Sequence, residues 1–126
     1  MGFPRGGGGL KRVATTGDAG FALENGTPTI VEWTAPDDGK LHSAIITGSV
    51  NVTAAETGGQ VIAELVIGGS ASAGQQLNGG GETGTGFYPP SSPIVFTVRA
   101  GDTIRLVQSS ALTAGAALVY AEIWAN

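Results

Sequence analysis

Apolar and polar residues alternate along most of this chain with a period of two, the mark of strands buried on one face. The pattern is clearest near the end. Ile94, Phe96 and Val98 alternate with Val95 and Thr97, and Ile104 and Leu106 with Arg105 and Val107. Leu118, Tyr120, Glu122 and Trp124 then alternate with Val119, Ala121 and Ile123. Residues 93–126 therefore read as strand, Gly-Asp turn at 99–102, strand, small-residue loop at 109–115, and a final strand over 116–124. A closing run of Ala-Leu-Val-Tyr-Ala-Glu-Ile-Trp belongs in a paired, buried position, not in a frayed tail.

The earlier chain follows the same rule. Phe21 and Leu23 suggest a short strand, closed by the positive-φ-tolerant pair Asn25-Gly26. Residues 27–34 form a strand with Ile30 and Glu32 opposite Val31 and Trp33, ended by Pro36 and the Asp37-Asp38-Gly39 turn. Residues 40–53 form a long strand. Ala44, Ile46, Gly48, Val50 and Val52 make its core face. Leu41, Ser43, Ile45, Thr47, Ser49 and Asn51 make a face that meets water or a neighbouring subunit. A loop at 54–59 precedes a strand at 60–68. A long glycine-rich crossing at 69–92 holds a short strand at 75–77 and is stiffened by Pro89-Pro90. No 3.6-residue period is present. About seven or eight strands predict an all-β fold, an antiparallel jelly-roll-like β-sandwich over residues 19–126, led by a flexible basic, glycine-rich arm at 1–18.

Composition sharpens this picture. The chain has 126 residues, 22 of them Gly, no Cys, and only 13% charged residues. A single domain of this size buries enough surface to fold without staples. Disulfides and thiolate chemistry are excluded. A weakly charged surface suits a subunit that lives against partners. Arg5, Lys11 and Arg12 place +3 in the first twelve residues; the other three bases face ten acids, a net −7. A basic arm thus precedes an acidic domain, and the domain has no basic, aromatic-interleaved face for nucleic acid. No apolar leader and no run of membrane-spanning length is seen, so synthesis in a cytoplasm from Met1, without a signal peptide, is expected.

Candidate chemistry is sparse. His42 is the sole histidine, and no Gly-x-Ser-x-Gly elbow accompanies it. Asp37 and Asp38 supply too few oxygens for calcium by themselves. Gly6–Gly9 is followed by Leu-Lys-Arg-Val, not by the Gly-Lys-Ser/Thr that a phosphate loop requires. Asn25-Gly-Thr and Asn51-Val-Thr match the glycosylation sequon by chance, given no secretory signal. Catalysis, cofactors and metals are therefore not expected. Phe87 and Tyr88, with the glycine-rich stretch 79–86, form a possible recognition loop for a sugar or protein.

Two stretches resemble the jelly-roll family of complement globular heads and tumour necrosis factor. One is Trp33-Thr-Ala-Pro-Asp-Asp-Gly-Lys-Leu-His-Ser-Ala, similar to that family's entry into its long strand. The other is Val95-Phe-Thr-Val-Arg-Ala-Gly-Asp-Thr-Ile-Arg-Leu, similar to its Gly-Asp hairpin, and residues 117–124 match its closing strand. The resemblance covers roughly residues 27–124 and implies a homotrimer packed across one sheet. In style, the arm plus sandwich also resembles small accessory proteins of tailed-phage virions. The expectation is a structural virion protein, a trimeric decoration or cement protein on the outside of a phage capsid. Its partners would be itself and the major capsid protein, with no nucleic acid and no membrane. Arg5, Lys11 and Arg12 would contact the capsid, and Leu118, Tyr120 and Trp124 would form the subunit interface. The alternative is a tail-fibre or receptor-binding tip that recognises a host glycan through Phe87 and Tyr88.

Overall fold

The computed structural model describes residues 9–72, 74–77, 84–88 and 93–126. Every regular element among them is a strand: β1 (Lys11–Thr15), β2 (Phe21–Ala22), β3 (Thr29–Thr34), β4 (Leu41–Gly58), β5 (Val61–Ile67), β6 (Ser70–Ala71), β7 (Gln75–Gln76), β8 (Gly86–Tyr88), β9 (Ile94–Arg99), β10 (Thr103–Gln108) and β11 (Leu112–Ala125). The described strands outnumber the expected seven or eight because β1, β6 and β8 were not expected; β6 and β8, of two and three residues, are too short to show a period. They add to the sheets' edges.

Among the described residues all pairings are antiparallel and form two sheets. In the first, β11 and β4 are central. β1 and β2 pair with β11, and β8 and β9 pair with β4. In the second, β10 lies between β3 and β5, and β5 also pairs with β6 and β7. From β3 to β5 and again from β9 to β11, successive long strands alternate between the sheets. The fold is an all-β sandwich.

The expected inner faces meet in its core. Ala44, Ile46, Val50 and Val52 of β4 are buried with Val119, Ala121 and Ile123 of β11, and Val31, Ala63, Ile104 and Leu106 come from the opposing sheet. Gly48 interrupts the apolar series for a steric reason. A Cβ there would lie 2.7 Å from the Tyr120 carbonyl oxygen and 3.0 Å from the Ala121 Cβ, so its absence lets β4 and β11 approach.

Three sequence expectations change, and one feature is new. The segment 99–102 is a tight turn, with Asp102 N–H donating to Arg99 O at 3.0 Å, but it does not close a hairpin. β9 pairs with β4 in one sheet and β10 with β3 and β5 in the other. The turn carries the chain across the sandwich, because Ile94 and Val98 must face Ile104 and Leu106 through the core.

Second, neither 54–59 nor most of 109–115 is a loop. β4 runs on to Gly58 and β11 begins at Leu112, and the two remain paired through register shifts between Leu112 and Ala117. Gly115, at φ 88°, makes this irregular pairing possible: a Cβ would overlap the Ala55 carbonyl oxygen.

Third, the start of the domain lies inside the expected arm. Lys11–Thr15 is β1 and pairs with β11, Lys11 opposite Ala125 and Thr15 opposite Glu122. β2 continues along the same edge, with Phe21 opposite Val119. The two are one edge strand interrupted by an excursion at 16–20.

The new feature is a polar clamp at the end of β10. Gln108 is fully buried. Its side-chain oxygen accepts from Glu24 N–H at 2.9 Å, and its Nε2 donates to Glu24 O at 2.6 Å and Ser110 O at 3.1 Å. It satisfies backbone groups that the β2–β3 connection cannot pair within a sheet.

Candidate interaction face

The outer face of the β11–β4 sheet gathers most of the residues singled out from sequence. Cross-strand partners share a face, so the register defines its rows. Arg12, Trp124, Ile45 and Val95 stand in one row. Leu118, Asn51 and Phe87 stand in another, and Leu41 stands opposite Arg99. Val95 is 64% exposed, Leu41 65% and Phe87 60%. Trp124, Ile45, Leu118 and Tyr120 are half-buried. The face thus carries an outward-facing apolar row at Trp124, Ile45 and Val95 beside a polar region at Thr47, Ser49 and Glu122.

The opposite sheet presents a different surface. Arg105 is flanked in register by Glu32 and Glu64, and its Nε donates to Glu64 Oε1 at 2.6 Å. The row alternates in charge, with Glu32 exposed, Arg105 half-buried and Glu64 buried.

The basic residues of the expected arm are divided. Arg5 lies outside the described residues. Lys11 is exposed on β1. Arg12 is tied to its own domain, its guanidinium donating to Glu122 Oε2 at 3.0 Å. Trp124 Nε1 donates to the other oxygen of Glu122 at 3.2 Å. These bonds, Arg12 first, hold the Glu122 carboxyl below its ordinary range.

Phe87 and Tyr88 are adjacent strand residues and therefore point to opposite faces. Phe87 turns outward, whereas Tyr88 packs against the core and donates its hydroxyl to Gly84 O at 2.9 Å. Of the expected recognition loop, residues 79–83 lie outside the described residues.

His42 has a structural partner set. It is buried, its ring meets Trp33 edge-on at 5.8 Å, and Asp38 and Asn126 accept from its two nitrogens. Asp38 also accepts from Lys40 N–H at 3.0 Å, which occupies it in the turn. Among the described residues, no group of three or more His, Cys, Asp or Glu is placed to hold a metal ion, and no helix is long and apolar enough to cross a membrane.

One concave feature was not legible in the sequence. The excursion at 16–20 rises beside Tyr120 and walls a cleft of about 570 Å³. Thr16 anchors it twice: its N–H donates to Ala121 O at 3.0 Å, and its Oγ1 accepts from Ala121 N–H at 3.1 Å. Gly20, at φ 76°, ends it where a Cβ would come within 2.8 Å of the Tyr120 ring. Thr47, Ser49 and Glu122 line the same cleft.

Comparison with known protein families, with curated proteins and with solved structures finds no match for this chain.

Proposed function

We propose that this chain is a structural virion subunit, a homotrimeric jelly roll that decorates the outside of a phage capsid. The observation that carries the reading is the apolar row Trp124–Ile45–Val95, with Leu41 nearby, on one outer face of a weakly charged sandwich. An exposed apolar patch of this kind marks an interaction site more often than a solvated surface. The contrast with the charged Glu32–Arg105–Glu64 row supports assigning self-association to the β11–β4 sheet. The alternation of long strands between the two sheets supports the jelly-roll topology.

A closed trimer uses one such face on each copy and stops growing, which matches a threefold position on a shell. Binding the assembled shell but not its free subunits would stabilise the shell by mass action. Because Arg12 is committed to Glu122, contact with the major capsid protein falls to Arg5 and Lys11. A tail-fibre or receptor-binding tip is the second reading, supported by the exposure of Phe87; the inward turn of Tyr88 counts against it.

Two measurements test the first reading. Light scattering on the purified chain should give three times the protomer mass, and a monomer would remove the trimer. A chain lacking residues 1–9, which leaves β1 and Arg12 in place, should keep that mass and bind phage shells more weakly. Undiminished shell occupancy would remove the arm from the contact.

A further inference from the structure

We propose that the cleft between Tyr120 and the excursion at 16–20 is a binding site for a neutral saccharide. This goes beyond the assembly role and does not depend on it.

The cleft's size, about 570 Å³, lies in the range of roughly 300–1,000 Å³ that holds small ligands. Its shape is built by the fold. A five-residue excursion interrupts an edge strand, is anchored at Thr16, and stands over the sheet next to an aromatic ring. Its floor is Thr47 and Ser49 of β4. Ser49 is only 7% exposed, yet its hydroxyl has no hydrogen-bond partner among the described residues. A hydroxyl that the protein leaves unpaired is free to donate to, or accept from, a ligand's hydroxyl.

The donor and acceptor set selects the ligand class. Thr47, Ser49 and Tyr120 offer hydroxyls that donate or accept. Glu122 has accepted one hydrogen bond on each oxygen, from Arg12 and from Trp124, and each oxygen keeps room for another. Asp18 adds a second carboxylate at the rim. The one cation, Arg12, is already paired with Glu122, so the lining carries net negative charge. Phosphates and other anions are disfavoured there. A metal cation meets the Arg12 guanidinium beside its best carboxylate. An apolar ligand finds mostly polar walls. A neutral sugar satisfies all of these conditions: its hydroxyls donate to carboxylates and exchange bonds with hydroxyls, and its C–H face packs on a tyrosine ring.

The site is distinct from the apolar row. It opens on the β1–β2 side of the sheet, whereas Ile45 and Val95 lie on the β9 side. The cleft residues Tyr120, Ser49, Glu122 and Thr47 occupy the rows between Leu118 and Trp124, and a contact centred on Ile45 and Val95 leaves them open.

The test is an NMR titration of the full chain with glucose, galactose and N-acetylglucosamine, preceded by a broad glycan array, with sodium phosphate as the anion control. At least one neutral saccharide should give saturable shifts at Thr47, Ser49 and Glu122. Affinity should fall about tenfold or more in Ser49→Val, which fills the floor. Asp18→Asn, at an exposed rim position that leaves the fold intact, should also weaken binding. Light scattering on the same samples reads oligomeric state separately, so loss of the trimer and loss of sugar binding are told apart. The proposal is overturned by the absence of any neutral saccharide binding, by shifts mapping elsewhere, by phosphate competing for the cleft, or by unchanged affinity in both variants.

Discussion

His42 Nε2 lies 3.1 Å from Asp38 Oδ1, and this contact favours the charged form of the histidine. Its other nitrogen, Nδ1, lies 2.7 Å from the backbone oxygen of Asn126. Both partners are acceptors, an arrangement that favours the imidazolium form, in which both ring nitrogens carry hydrogen. The bond to Asn126 first, and then the one to Asp38, raise the His42 pKa above 6.5. The bond from His42 lowers the Asp38 carboxyl below 3.8. Together they tie the β3–β4 turn to the end of β11.

A pH dependence of stability follows, with a definite sign. The histidine's contribution is fully present below 6.5 and disappears as pH rises through the raised folded value. The aspartate's contribution is present above 3.8 and disappears as pH falls through the lowered one. The pair therefore acts fully between 3.8 and 6.5. Urea midpoints should be higher at about pH 5.5 than at about pH 8.5, and His42→Gln should remove most of that difference. An equal difference in the variant would assign it to other groups.

Two glycines with nearly the same backbone angle should respond differently to alanine. Gly101 has φ 86° with open space around its missing Cβ, whereas Gly115 has φ 88° with the Ala55 and Ala54 carbonyls in the way. Gly101→Ala should cost about 1–2 kcal/mol, the left-handed penalty alone. Gly115→Ala should cost about 3 kcal/mol or more, because backbone must also move. Denaturant titration of both variants decides it: equal losses would mean that the β4–β11 bulge accommodates a side chain freely.

The sequence made the inner and outer faces of β4 and β11 legible because burial on one side writes itself as a period of two. Ala44 to Val52 and Val119 to Ile123 read as core and are core. β1 was hidden because glycines and basic residues surround it, and its strand character comes from pairing with β11, over a hundred positions away. The cleft was hidden for the same reason. Its wall depends on Thr16 bonding Ala121, a contact that no local pattern announces. The Gly-Asp turn was recognisable, but whether a tight turn pairs its strands or sends them to opposite sheets is decided by the core.

Gln108 shows how much a single polar side chain can hold. Gln108→Leu preserves approximate volume but leaves Glu24 N–H and O, and Ser110 O, without their side-chain partner. Glu24 O keeps its bond from Leu112 N–H, so the loss falls mainly on Glu24 N–H and Ser110 O, part-buried groups that cost roughly 1–3 kcal/mol each when unpaired. The expected loss is about 2–4 kcal/mol, with faster amide exchange at Glu24. A near-neutral variant would show that water reaches this end of the sandwich and replaces the clamp.

The proposed subunit contact is tested most cleanly at Val95. Its side chain is 64% exposed, so an aspartate there should change protomer stability by no more than about 0.5 kcal/mol. In an interface centred on the Trp124–Ile45–Val95 row, the same aspartate is desolvated without a partner, a cost of several kcal/mol per copy. Val95→Asp should therefore give a folded monomer at concentrations where the parent is a trimer. Ile67→Asp, at a 54% exposed position on β5 of the other sheet, should leave the mass unchanged. Light scattering with circular dichroism on both variants separates dissociation from unfolding. A Val95→Asp protein that keeps the parent mass would move the contact off this face.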